Sequence, residues 1–377
     1  MIIDKNYILK RIDFFLNELT YRKNVVSSVR TDMYSLYSLK KLYDYLPEFF
    51  KNIFVRPVIK LIAAKKMQNK RFFMNEYTKY FAVDFVLYFI NSSKKLNLNS
   101  YYNDEDKIEV IKFIDNKILM ALFEGVSKDF IYKKKDKYFL NKYDLFERLN
   151  FKFKRDSTKI IVNDNNYVLP VVKKSFIQSF FHSYNLDKLP KRVLKKLKGA
   201  NFVDCGAFVG DSLLILNKFK FGKIYCIEPD SRNYDLLIKT IKMNNIKNAF
   251  PLKLGVGEKN KKISLSNSGT SSFINENISN TENSEIINIV SLDSYFKDAD
   301  IDLIKMDIEG YEYEAIRGSM DIIRENKPVL IICLYHKGRD FVEILPLLKK
   351  LVPEYTFRFF NLNYKHPFIE RVLVAYI

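Results

Sequence analysis

The amino-acid sequence predicts an α/β chain: a doubly wound, mostly parallel sheet over residues 200–377, closed by an antiparallel hairpin and preceded by a mainly helical region over residues 1–150. Three observations carry this expectation. From Asn201 onward, short apolar runs alternate with helical patterns. Two further β-rich runs end the chain, and the first 150 residues repeat their apolar positions at helical spacing.

In the helical region, Ile8, Ile12, Phe15 and Leu19 recur at intervals of four, three and four and share one face. The segments from Leu42 to Met67, Arg71 to Ile90 and Ile108 to Phe123 follow the same pattern, with Tyr and Phe filling much of the apolar stripe. Residues 151–199 form a lead-in. There TKIIV and YVLPV flank Asn163-Asp164-Asn165-Asn166, a turn-rich cluster that predicts a β-hairpin. A helix is expected from Lys174 to Tyr184, followed by the basic segment Lys188 to Gly199 as a solvated helical face or linker. The runs NFVD, KIYCI, AFPLKL, IDLIKM and PVLIICL then read as strands buried on both faces, with helices over Asp230 to Met243 and Tyr311 to Arg324. YTFRFF and RVLVAYI complete the sheet as a hairpin.

Cys205, Cys226 and Cys333 are widely spaced without a CxxC pair, and the start MIIDKNYILK lacks a signal-peptide stretch, so a reduced cytoplasmic protein is expected. The most apolar segment, Ala82 to Ile90, contains Asp84 and is too short to span a bilayer. Charge is unevenly placed: residues 1–200 hold 40 Lys and Arg against 21 Asp and Glu, while residues 201–377 hold 23 of each. The bland account is a lysine-rich composition; the other is a basic face for an anionic membrane surface or acidic glycan.

The first strand of the α/β region runs into Asp204-Cys205-Gly206-Ala207-Phe208-Val209-Gly210-Asp211-Ser212. Gly206 and Gly210 leave room for a ligand beside the backbone, and Asp211 or Ser212 can open the next helix. A dinucleotide loop would read G-x-G-x-x-G and cradle a pyrophosphate, whereas here Phe208 takes the place of its second glycine and an acid ends the strand. That acid suits a cationic, phosphate-free cofactor such as S-adenosyl-L-methionine. Glu228, at the end of the second strand, can accept both ribose hydroxyls of an adenosine. After the third strand, Leu254-Gly255-Val256-Gly257 offers a backbone edge for adenine around Val256, or a plain turn.

With these residues and Lys305-Met306-Asp307-Ile308-Glu309-Gly310-Tyr311-Glu312 in view, the region resembles the FkbM family of S-adenosylmethionine-dependent methyltransferases. Val290 to Phe296, Ala315 to Gly318 and Leu334 to Lys337 agree with that resemblance, which covers about residues 200–377. It implies a Rossmann-like methyltransferase fold and O-methylation of a hydroxyl, most often on a sugar in a glycan or glycan precursor. Asp307 then lies at the carboxyl edge of the fourth strand, where ligands bind, and Gly310 lets the chain turn into a helix whose start Glu309 and Glu312 would cap.

For the chemistry, His336 at the end of the fifth strand is expected as general base, with Asp307 as its partner or as the base itself. A magnesium arrangement using both is an alternative, but no metal is expected because a third oxygen ligand near His336 is not evident in the sequence. A nucleic-acid methyltransferase or binding module is a rival suggested by the basic first half. Against it, the fourth strand lacks an Asn/Asp-Pro-Pro-aromatic element and its carboxylates would repel a phosphate backbone, so nucleic acid is not the expected partner. A non-catalytic interaction protein that retains the fold is the remaining alternative.

Overall fold

The computed structural model describes residues 1–19, 71–73, 76–123, 125–127, 141, 151–154, 157–162, 165–171, 183–267, 272–275, 284–363, 366 and 368–377. The chain divides into two compact units, one formed by Met1–Leu140, Tyr335–Val342 and Tyr364–Ile369, the other by Asn141–Leu334, Glu343–Asn363 and Glu370–Ile377. The sequence suggests breaks at 150 and 199; in the structure the 151–199 lead-in belongs with the α/β unit.

In the first unit, α1 (Lys5–Leu19) buries Ile8, Ile12 and Phe15, as its spacing predicts. Helix α2 (Glu76–Asn91) and helix α3 (Asp104–Leu122) pack through aromatic rings, with Phe85 edge-on to Phe113 at 5.7 Å. The Asn103 side chain caps α3 by accepting the Asp106 N–H at 2.9 Å, and three acids fill its first turn. Arg11 grips Asp115 with two bonds of 2.7 Å and so ties α1 to α3. Arg71–Phe73 is a strand paired with Gly125–Ser127, where the sequence suggests helix from Arg71. The helical segment expected over Leu42 to Met67 lies outside the described residues.

The second unit is built on seven strands: β1 (Phe202–Cys205), β2 (Ile224–Ile227), β3 (Ala249–Leu252), β4 (Leu303–Met306), β5 (Val329–Cys333), β6 (Thr356–Asn361) and β7 (Arg371–Tyr376). Their order across the sheet is β3-β2-β1-β4-β5-β7-β6; all neighbours are parallel except β7, which runs antiparallel to β5 and β6. This is the doubly wound sheet with a terminal hairpin that the sequence predicts. Strands β1, β4, β5 and β7 are buried at every residue, which explains why they are mainly apolar, with Asp204, Lys305 and Arg371 as buried charged exceptions. The order reverses between β1 and β4, and at such a switch point the carboxyl ends of the strands leave a crevice for a ligand.

The other expected elements fall as follows. The hairpin is present as Thr158–Val162 against Asn165–Leu169, with Phe151–Phe153 as a third strand. Asn244 fastens it, accepting from Val168 N–H at 2.8 Å and donating to Val168 C=O at 2.7 Å. The basic segment gives α4 (Lys191–Leu197), with Pro190 just before it. The start of the helix expected at Lys174 lies outside the described residues, and Tyr184 instead belongs to a short 3₁₀ stretch, Ser183–Lys188, in a left-handed conformation. The helix expected over Tyr311 to Arg324 is two: α7 (Glu312–Arg317) and α8 (Met320–Asn326). Asp293 caps the second by accepting from the N–H groups of Asp321 and Ile322. A four-stranded sheet made of Gly255–Val256, Lys261–Asn267, Ser272–Asn275 and Ser284–Val290 is inserted between β3 and β4, and the sequence reading misses it. All three cysteines are buried and free. Among the described residues, no helix is long and apolar enough to cross a membrane.

Candidate cofactor and active site

From β1 the chain turns through Gly206 to Gly210, the N-cap of α5 (Asp211–Leu216). This loop is pinned on all sides. The N–H groups of Gly206 and Ala207 both donate to Ile227 C=O, at 3.0 and 2.9 Å, and Thr240 Oγ1 donates to Val209 C=O at 2.5 Å. Gly206 passes so close to β4 that a Cβ would overlap the Asp307 carbonyl oxygen, and its φ is +77°. Gly206→Ala is therefore expected to lower the unfolding free energy by about 1–3 kcal/mol, read from urea unfolding midpoints.

Asp204 does not act as the sequence suggests. Instead of facing a ligand, its side chain is fully buried beneath the loop, accepting from Lys305 Nζ at 2.9 Å and Ser212 Oγ at 2.6 Å. Lys305, in the middle of β4, also reaches Gly206 C=O at 3.3 Å and lies 5.8 Å from the Tyr184 ring centre. Burial opposes the charge on Lys305, but Asp204 outweighs it, with Tyr184 and Asp307 adding to the effect, and holds the ammonium well above the usual lysine range. The physical reason is charge balance: a buried carboxylate is stable only with a buried cation and hydrogen-bond donors.

Glu228 lies at the carboxyl end of β2, where the sequence predicts it. One oxygen accepts Phe208 N–H at 2.9 Å and the other Asp230 N–H at 3.0 Å, so it joins the β1 loop to the start of α6 (Ser231–Met243). Each oxygen keeps lone-pair capacity for a further donor. Burial raises its pKa to about 7 against the two N–H groups that favour the anion. Asp211, in the first turn of α5, is likewise raised to about 6 by burial, with Lys305 opposing. Val256 is buried in the inserted sheet, paired in register with Val290, and the adjacent Gly257 N–H is already committed to Val290 C=O at 3.0 Å.

Asp307 follows β4 directly and is half-buried, and its N–H donates to Cys205 C=O at 3.1 Å. After it the chain turns through Glu309 and Gly310, both left-handed. Glu312 folds back from the start of α7 to accept Ile308 N–H at 2.9 Å, bringing a carboxylate oxygen within 4.8 Å of one on Asp307. Glu312 is thus a second carboxylate at this strand end, buried beside Asp307, and staples the turn rather than capping the helix from outside. His336 comes three residues after β5 in the chain; it is fully buried, with the Phe81 ring centre at 5.2 Å and that of Tyr335 at 4.0 Å.

Residues 204–359 match the methyltransferase FkbM domain family. The chain contains an FkbM methyltransferase domain. Methyltransferases of this family depend on S-adenosylmethionine. Similar solved structures include methyltransferase FkbM from Methylobacillus flagellatus KT, at 18% identity over 74% of this chain and 72% of that one, with a TM-score of 0.39. Trm5b from Pyrococcus abyssi aligns at 13% identity over 59% of this chain and 56% of that one, TM-score 0.35. TYW2 from M. jannaschii in complex with AdoMet aligns at 15% identity over 59% and 86%, TM-score 0.33. Comparison with curated proteins finds no match. The FkbM domain brings Asp204, Gly206, Gly210, Glu228 and Asp307 to one edge of the sheet, the edge where β1, β2 and β4 end.

Proposed function

We propose that the FkbM domain binds S-adenosyl-L-methionine across the β1 and β2 ends and transfers its methyl group to a hydroxyl, most often that of a sugar in a glycan or glycan precursor. The observation that carries this reading is the pairing of a pinned loop without basic side chains, Asp204 to Ser212, with the buried acid Glu228 at the next strand end. A nucleotide phosphate would call for cations there, whereas the first turn of α5 carries the acid Asp211. Lys305, the cation beneath the loop, is neutralised by Asp204. The donor set fits a cationic ligand carrying a ribose diol, with Glu228 accepting the hydroxyls and Asp211 adding negative charge at the loop. When bound, the cofactor supplies an electrophilic methyl carbon on a sulfonium.

The chain's own residues have two tasks: to hold the acceptor oxygen in line with that carbon, and to remove its proton as the new bond forms. His336 is assigned the proton and Asp307 the orientation of the base or of the acceptor. The parallel pairing of β4 with β5, with Met306 in register with Ile332, supports this reading.

Glu228→Ala is expected to weaken binding of S-adenosylmethionine and of its demethylated product by about 1.5–3 kcal/mol, the scale of hydrogen bonds to a charged group. Calorimetry showing equal affinity in the variant would remove Glu228 as the ribose contact. The pH dependence has a definite sign. Because the folded protein holds the Glu228 proton up to about pH 7 while an unfolded chain releases it near the ordinary glutamate value of 4.5, apo-protein stability should fall as pH rises through that window. Affinity for the demethylated product should rise over the same window as the anion forms, and Glu228→Gln should flatten both trends.

A further inference from the structure

Helices α2 and α3, which lie outside the FkbM domain match, make specific contacts within the first unit with the turn that carries His336. This turn, Tyr335 to Gly338, is held at both ends. At one end Lys117 Nζ, from α3, donates to Tyr335 C=O at 2.6 Å. At the other, the Gly338 N–H donates to Asp84 Oδ2, from α2, at 2.9 Å. Gly338 sits flush against α2: a Cβ there would come within 2.6 Å of Tyr88 Cβ and 2.9 Å of the Phe85 backbone. Between the two ends, Phe81 of α2 packs against the His336 ring.

Lys117 is the informative member. It is fully buried, and an ammonium removed from water costs several kcal/mol unless partners replace the water. Its neighbours include a backbone carbonyl, the Phe113 ring at 5.3 Å and the charge of Asp84. Burial raises the Asp84 pKa, whereas the Gly338 N–H, Lys337 and Lys117 favour its anion. An apolar residue at position 117 would pack a helix interface at lower cost. What the lysine adds is a directional bond to one carbonyl, next to one histidine.

We propose that α2 and α3 fix the His336 ring for its chemistry, with Asp84 and Lys117 as positioning residues that hold the two ends of its turn. This rests on the reading of His336 as the base, and it gives the helical unit a part in the reaction without requiring it to touch the acceptor.

The test uses the full chain labelled with ¹⁵N-histidine. There are three histidines, and subtracting the spectrum of His336→Gln assigns the signals of interest. Asp84→Ala and Lys117→Met are each expected to move the His336 imidazole signals, while Asp84→Asn, which keeps an acceptor oxygen for Gly338 N–H, restores the wild-type pattern. Calorimetric affinity for S-adenosylhomocysteine should stay within about threefold in all of them, a difference worth well under 1 kcal/mol. If folded Asp84→Ala and Lys117→Met proteins give wild-type His336 signals and lose only melting temperature, the two residues are structural and the proposal is overturned. Should Lys117→Met fail to fold, Asp84→Ala against Asp84→Asn decides alone, since Asp84 is only half-buried. The underlying reading is tested separately: His336→Gln that still transfers methyl groups to the glycan fraction of cells lacking the gene removes the base role, whatever the spectra show.

Discussion

Replacing His336 by Gln, or Asp307 by Asn, is expected to slow methyl transfer by about 10²–10⁴-fold while affinity for S-adenosylmethionine stays within a few-fold. The measurement is methyl incorporation from labelled S-adenosylmethionine into the glycan fraction of cells lacking the gene, with the CH2 mass increment located by mass spectrometry. The two losses should not add, because groups that act as one unit fail together. Three other outcomes are distinguishable. Loss of activity with chelator and recovery with added magnesium would assign Asp307, and Glu312 beside it, to an ion. Full activity in folded His336→Gln would move the base to Asp307. Incorporation into nucleic acid instead of glycan would replace the acceptor class. The expected result is that chelator changes nothing.

Lys305→Met is expected to destabilise the protein by about 3–5 kcal/mol, the range for removing one partner of a buried ion pair. Asp204 would then keep Ser212 but lose its cation in a place water does not reach. Adding Asp204→Asn should recover much of the loss, because the uncompensated charge goes with it, and the coupling in a double-mutant cycle should exceed 1 kcal/mol. Urea unfolding of the four proteins measures this. A surface pair such as Lys327 with Glu354, 2.6 Å apart and exposed on both sides, should give far less in the same cycle. Independent, additive effects at Lys305 and Asp204 would mean that the pair does not hold the loop.

The sequence made the α/β sheet legible because strands buried on both faces are mainly apolar, and each of the seven runs became a strand of the main sheet; the exception in burial is β3, expected to be covered on both faces but part-buried at the sheet edge with Phe250 exposed. The inserted sheet was hidden for the opposite reason. In Lys261–Asn267 and Ser284–Val290, polar and apolar residues mix with Asn and Ser, and among the described residues Ile263, Ile287 and Ile289 form a small buried cluster. The single helix expected from Tyr311 ends at Gly318, where a Cβ would overlap the Gly257 carbonyl oxygen, a close approach from far upstream that no local pattern encodes. At the site, the positions of Gly206, Glu228 and Asp307 were readable from their places at strand ends. The direction of Asp204 was not, because an acid at a strand end can point outward to a ligand or inward to a partner. A signal for the second choice was present: a lysine inside LIKM, a run otherwise apolar, requires a buried acid, and Asp204 is its register partner across β1 and β4.

The position of β7 has a consequence for how the protein is made. Although it is the last of the seven strands in the chain, it lies between β5 and β6, bonded to both. Until residues 371–376 are in place, β5 therefore has an open edge and β6 has no neighbour in the sheet. Such an edge can recruit a strand from another chain. Synthesis at high local chain density should thus favour aggregation of the α/β unit before its final strand arrives, and a truncation that removes β7 should leave a protein with two unsealed edges in place of one sheet.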